Sequence, residues 1–62
     1  MDYKKDIIVY DLETPEQCFL ASFYIRETGE WRDFLINAYQ NDLYLLLKFL
    51  DENKNKWFCG YN

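Results

Sequence analysis

The hydrophobic period of the chain changes near Asn41, from strand-like runs to a helical stripe, and that change sets the order of its elements. Ahead of it, Ile7 to Leu12 (IIVYDL) is β-branched and aromatic and is apolar at positions of both parities. That pattern predicts a strand at the centre of a sheet, covered on both faces. Thr14 to Gln17, with the only proline at Pro15, reads as a connection, and Cys18 to Arg26 (CFLASFYIR) as a second strand. Glu27-Thr28-Gly29-Glu30 is the turn of a hairpin in which Gly29 supplies a positive φ, and Trp31 to Ile36 pairs back as a third strand. From Asn41 onward, Leu43, Leu46, Leu47 and Leu50 fall at i, i+3, i+4 and i+7, one face of a helix running to about Asn53. Asn41 is the expected N-cap and Asp42 the first-turn acid, while Tyr44, Leu45 and Phe49 widen the apolar stripe. Trp57 to Tyr61 forms a last short strand.

The order β-β-β-α-β predicts an α/β fold with a mixed sheet. A crossover helix returns the chain parallel to a neighbour, and the simplest arrangement sets the first strand between the second and fourth, in spatial order 3-2-1-4. The fourth strand is then an exposed apolar edge, a site for pairing or self-association.

With 62 residues the chain makes at most one domain. A domain of this size buries only roughly 60% of the surface of its unfolded chain, so marginal stability is expected. Half of the residues are hydrophobic and 21% aromatic, which is the composition of a folding sequence. Phe19, Phe23, Tyr24, Trp31, Phe34 and Trp57 are therefore expected in the core. The net charge of -4 argues against binding nucleic-acid backbone through basic clusters, so any such contact falls to metal or local groups. Lys4-Lys5 and Lys54 to Lys56 read as solvated ends, and Glu27, Glu30 and Asp33 as surface charge. Met1 to Asp6 carries no apolar core of signal-peptide length, and no run approaches membrane-spanning length, so a cytoplasmic protein without membrane contact is expected. Cys18 and Cys59 lie far apart with no histidine in the chain to complete a zinc site, and both are expected as buried small apolar residues.

Asp11 and Glu13 carry the chemistry. They stand two residues apart at the end of the first strand, and the two-residue side-chain period puts both carboxylates on one face. Like charges so placed repel each other unless a cation sits between them, which favours a hard divalent ion such as Mg²⁺ or Mn²⁺. In two-metal phosphodiester cleavage the ions lie roughly 3.5–4 Å apart, and further acidic ligands are needed. Without histidine, acid–base chemistry here rests on carboxylates and metal.

The string Asp11-Leu12-Glu13-Thr14, at the head of this element order, resembles the first motif of DEDD-type 3'-5' exonucleases of the ribonuclease H-like superfamily. Gly60-Tyr61-Asn62 resembles the start of their second motif. The family includes the proofreading domains of DNA polymerases, with bacteriophage polymerases closest in character, and the resemblance runs from Ile7 to Asn62. It implies that Asp11 and Glu13 are catalytic metal ligands for Mg²⁺ or Mn²⁺. It also implies that Thr14 lies near the 3'-terminal nucleotide, and that Asn62 contacts the nucleic-acid substrate. In the family, an aromatic-Asp pair continues the second motif, and a third motif brings the last Asp with a Tyr or His that orients water. By that comparison residues 1–62 are the first part of an exonuclease domain, holding two of four metal carboxylates. The chain alone is expected to be inactive, its partners being a nucleic-acid 3' end, expected as DNA, and the remainder of the exonuclease or polymerase. If phage-encoded, it would work in the host cytoplasm.

Two other readings remain. One is a small acidic, non-catalytic interaction module that pairs through an exposed edge strand. The other keeps the ribonuclease H-like fold with a different metal-dependent nuclease activity or none, since fold alone does not choose a function.

Overall fold

A computed structural model describes residues 7–60. Its elements run β1 (Ile7–Glu13), β2 (Phe19–Ile25), β3 (Glu30–Ile36), α1 (Leu43–Glu52) and β4 (Trp57–Gly60). They form a four-stranded mixed sheet in the order β3-β2-β1-β4, with one helix crossing between the two edge strands. β1–β2 and β2–β3 are antiparallel hairpin pairs, and β4 lies parallel to β1. This is the α/β arrangement expected from the period change. Tyr61, Asn62, Lys4 and Lys5 lie outside the described residues.

The first hairpin connection turns at Pro15–Cys18, where the Cys18 amide donates to the Pro15 carbonyl at 3.0 Å and Gln17 adopts φ 58°. The second turns at Arg26–Gly29. There Gly29, at φ 75°, donates its amide to the Ile25 carbonyl at 2.7 Å, as the sequence requires of it. That loop length sets the register Ile25↔Glu30, Tyr24↔Trp31 and Ser22↔Asp33.

The core lies on one face of the sheet. Ile8, Ala21, Phe23, Ile25 and Phe34 point from the strands toward Leu46 and Phe49 of α1, and all seven are buried. Phe23 is the hub, with ring centroids 4.8 Å from Phe49, 5.8 Å from Phe34 and 6.1 Å from Phe58. Such pairs contribute about 0.5–1.5 kcal/mol each beyond area burial. Arg32, at the rim of this layer, holds its guanidinium over Phe34 and Phe49, 5.9 and 5.5 Å from their centroids.

Several expectations need correction. β1 is central, yet among the described residues nothing covers its second face, so Ile8 is its one buried residue. The helix packs through Leu46 and Phe49 with Leu50 beside them, while Leu43 and Leu47 stay about half exposed. α1 lies toward β3, and its packed stripe is therefore rotated away from the all-leucine face. An apolar groove of ≈ 390 Å³ over the β1 side, lined by Tyr10, Leu12, Phe19, Leu46, Leu50 and Phe58 among others, is left open.

The helix also starts one residue later than expected. Asp42 is the N-cap position but makes no cap bond. Its carboxylate accepts instead from the Leu35 amide at 2.9 Å and from Gln40 Nε2 at 2.8 Å. Asn41 Oδ1 takes the Leu43 amide at 3.0 Å, so Asn41 does serve a helix N–H, from one position further out. A tight turn at Asn37–Gln40 was not foreseen. Asn37 Oδ1 accepts from the Tyr39 and Gln40 amides, both at 2.8 Å, and folds the chain back along β3 before the helix.

Trp31 and Trp57 are 65% and 62% exposed, not core, because both project from edge strands toward the uncovered face. Cys59 is exposed for the same reason, while Cys18 is half-buried, and both thiols are free. Lys56 is no solvated end, since its Nζ lies 3.2 Å from Glu27 Oε1 and ties the entry of β4 to the β2–β3 turn. No helix among the described residues is long and apolar enough to cross a membrane.

Candidate metal site on the uncovered face of the sheet

β1 alternates strictly. Ile8, Tyr10 and Leu12 face α1, which leaves Val9, Asp11 and Glu13 on the opposite side. The two carboxylates predicted from the sequence therefore do share a face, and it is the face that α1 leaves free. Asp11 is half-buried opposite Ser22, and Glu13 is exposed opposite Leu20 at the strand end. Among the described residues neither enters a salt bridge or a side-chain hydrogen bond.

The parallel pairing of β4 brings Gly60 beside Tyr10, the neighbour of Asp11. Gly60 suits that place, because a Cβ there would meet Tyr10 Oη at 3.2 Å and Cζ at 3.3 Å. Thr14 follows Glu13 directly, exposed and beyond the strand end. Asn62, the other residue expected at the substrate, lies outside the described residues.

The donor set suits a small hard cation. Two carboxylates supply oxygen ligands without competing nitrogen or sulfur, and Mg²⁺ commonly binds through one or two carboxylates while keeping several waters or substrate phosphates. No group of three or more Asp, Glu, Cys or His is close enough to share an ion among the described residues. Asp33 stands across the sheet at the far end of the Asp11–Ser22 row, two strands away from Asp11.

Beside Asp11 lies a feature the sequence reading missed. A cleft of ≈ 320 Å³ is lined by Val9, Tyr10, Asp11, Ser22, Tyr24 and Trp31. The rings of Tyr24 and Trp31 stand 5.0 Å apart at 46°, forming one wall. The signal was present in the hairpin: a four-residue loop ending at Gly29 puts Tyr24 opposite Trp31, and the two-residue period then sets both on the side of Asp11. Both rings had instead been assigned to the core on aromaticity alone. Compared with known proteins, the chain matches no family model, no curated protein and no solved structure.

Proposed function

We propose that this chain forms the first part of a metal-dependent 3'-5' exonuclease domain of the DEDD type, the ribonuclease H-like kind found as proofreading domains in DNA polymerases. One observation carries the reading: Asp11 and Glu13 emerge together on the uncovered face, at the end of the central strand of a β3-β2-β1-β4 sheet. In this reading both carboxylates would hold Mg²⁺ or Mn²⁺, which when bound would supply Lewis-acid polarisation of a phosphate and a more acidic water. Asp11 and Glu13 would hold the cation that draws in the scissile phosphate, and their own charge repels anions that arrive without one. Thr14, exposed just past Glu13, would lie near the 3'-terminal nucleotide, and Asn62 would be a second substrate contact.

The test is the reading frame beyond the Asn62 codon. A continuation, in the same or a shifted frame, into an aromatic-Asp pair and a later Asp is the expected result. A stop codon with no such sequence downstream would contradict the reading.

A second reading, a non-catalytic interaction module, is favoured by the contrast between the two sheet edges. β3 carries Glu30, Arg32 and Asp33, charges that discourage edge-to-edge pairing. β4 (WFCG) carries none, and its Trp57 and Cys59 are exposed. An added strand would pair there, and Trp57→Lys, opposite Ile7 at the far end of β4 from Asp11, should abolish that pairing while leaving cation binding at Asp11 unchanged.

A further inference from the structure

The uncovered face is polarised in charge. From the register, its strand positions are Ile7, Val9, Asp11 and Glu13 of β1, Leu20, Ser22 and Tyr24 of β2, Trp31, Asp33 and Leu35 of β3, and Trp57 and Cys59 of β4. The charged members, Asp11, Glu13 and Asp33, are all acidic. Arg32, the one basic residue within the four strands, is turned to the other face over Phe34 and Phe49.

The relief of this face follows from side-chain size. One cross-strand row is Val9, Tyr24 and Trp31; the next is Asp11, Ser22 and Asp33. Same-face rows are separated by two residues, about 7 Å. The small Ser22 makes a depression, with the Asp11 carboxylate on one side and the Tyr24–Trp31 wall behind it. The result is the ≈ 320 Å³ cleft, which Asp33 does not line.

We infer that this cleft binds an arginine side chain of a partner peptide, the guanidinium lying against the Tyr24 and Trp31 rings and pairing with the Asp11 carboxylate. Three properties match that group and no anionic or neutral one as well. A planar cation is attracted to the face of Trp and Tyr rings and loses little hydration in stacking there. Its fork of N–H donors suits a carboxylate two-pronged, and here Asp11 carries no partner among the described residues. Ser22 adds a hydroxyl acceptor at the floor, and Trp31, 65% exposed, presents most of its ring to an incoming side chain. The inference does not rest on the exonuclease reading, although Asp11 serves both.

The test is titration of the protein with a blocked Gly-Arg-Gly-Arg-Gly peptide, followed through the backbone amide resonances of Asp11, Ser22 and Tyr24. Saturable shifts at these three amides are expected. Asp11→Asn and Trp31→Ala should each weaken binding about tenfold or more, and the same peptide with citrulline for arginine should not bind. Glu13→Gln should weaken peptide binding by less than about threefold while raising the divalent-cation Kd about tenfold or more, so failure here and failure of the metal site are told apart. Both cleft substitutions are at side chains outside the buried core, and the unperturbed amide spectrum of each free variant certifies its fold. Equal binding of the citrulline peptide, an unchanged curve for either variant, or no saturable shift up to about 10 mM peptide would overturn the inference.

Discussion

The Asp42 carboxylate accepts a hydrogen bond from the Leu35 amide at 2.9 Å and so joins the start of α1 to β3. The same residue donates its own amide to the Leu35 carbonyl at 3.0 Å, so both backbone polar groups of Leu35 are satisfied by one residue seven positions on. Asp42→Ala leaves the partly buried Leu35 amide without its acceptor, and a loss of about 1–3 kcal/mol is expected. Asp42→Asn keeps an acceptor and should cost less. Urea unfolding of the two variants checks the order.

Phe49 touches Phe23 and Phe34 and is 3% exposed, whereas Leu47 is 55% exposed. Phe49→Ala should destabilise by about 3–5 kcal/mol, enough to unfold a domain of this size, and Leu47→Ala by well under 1 kcal/mol. Thermal unfolding followed by circular dichroism separates the two. Similar losses would show that the helix packs through its leucine stripe after all.

Gln17 holds φ 58°, a conformation that costs a non-glycine residue about 1 kcal/mol or more. Gln17→Gly relieves that cost but raises the entropy of the unfolded chain, so the net gain expected is a few tenths of a kcal/mol up to about 1. A rise in the unfolding midpoint of the variant is the measurement.

Lys56 and Glu27 join the turn before β3 to the entry of β4, with side chains 26% and 48% exposed. Solvent screening limits the pair to below about 1 kcal/mol. A double-mutant cycle at Lys56→Met and Glu27→Gln should give a coupling that shrinks with added salt.

The order of elements was legible because two periodicities, two residues in the strands and near 3.6 in the helix, leave different marks on sequence. Register was not legible: Gly29 marked the hairpin, but the turn sits one residue earlier than Glu27 to Glu30, so that Ile25 pairs with Glu30, and the β1–β2 and β1–β4 pairings rest on other connections. Nor was what covers each face. An apolar residue at a strand position reports a side, and nothing local reports whether that side meets a helix, which is why Trp31, Trp57 and Cys59 were assigned to the core and are exposed. The helix rotation was hidden for a related reason. Leu43 and Leu47 are as hydrophobic as Leu46, and the choice of Phe49 as the buried partner depends on the Phe34, Phe58 and Tyr10 rings gathered around Phe23. Asp11 and Glu13 were found because their spacing alone places them together; the aromatic wall beside them required the pairing of two strands.

The proposed metal site has Asp11 and Glu13 jointly holding a divalent cation. Its most direct test is Mn²⁺ titration with paramagnetic broadening of the backbone amide resonances. Broadening is expected to begin at Asp11 to Glu13 and at the cross-strand residues Leu20 to Ser22. Asp11→Asn and Glu13→Gln should each raise the Kd about tenfold or more. Broadening spread evenly over the acidic residues, or a Kd indifferent to both substitutions, would contradict it.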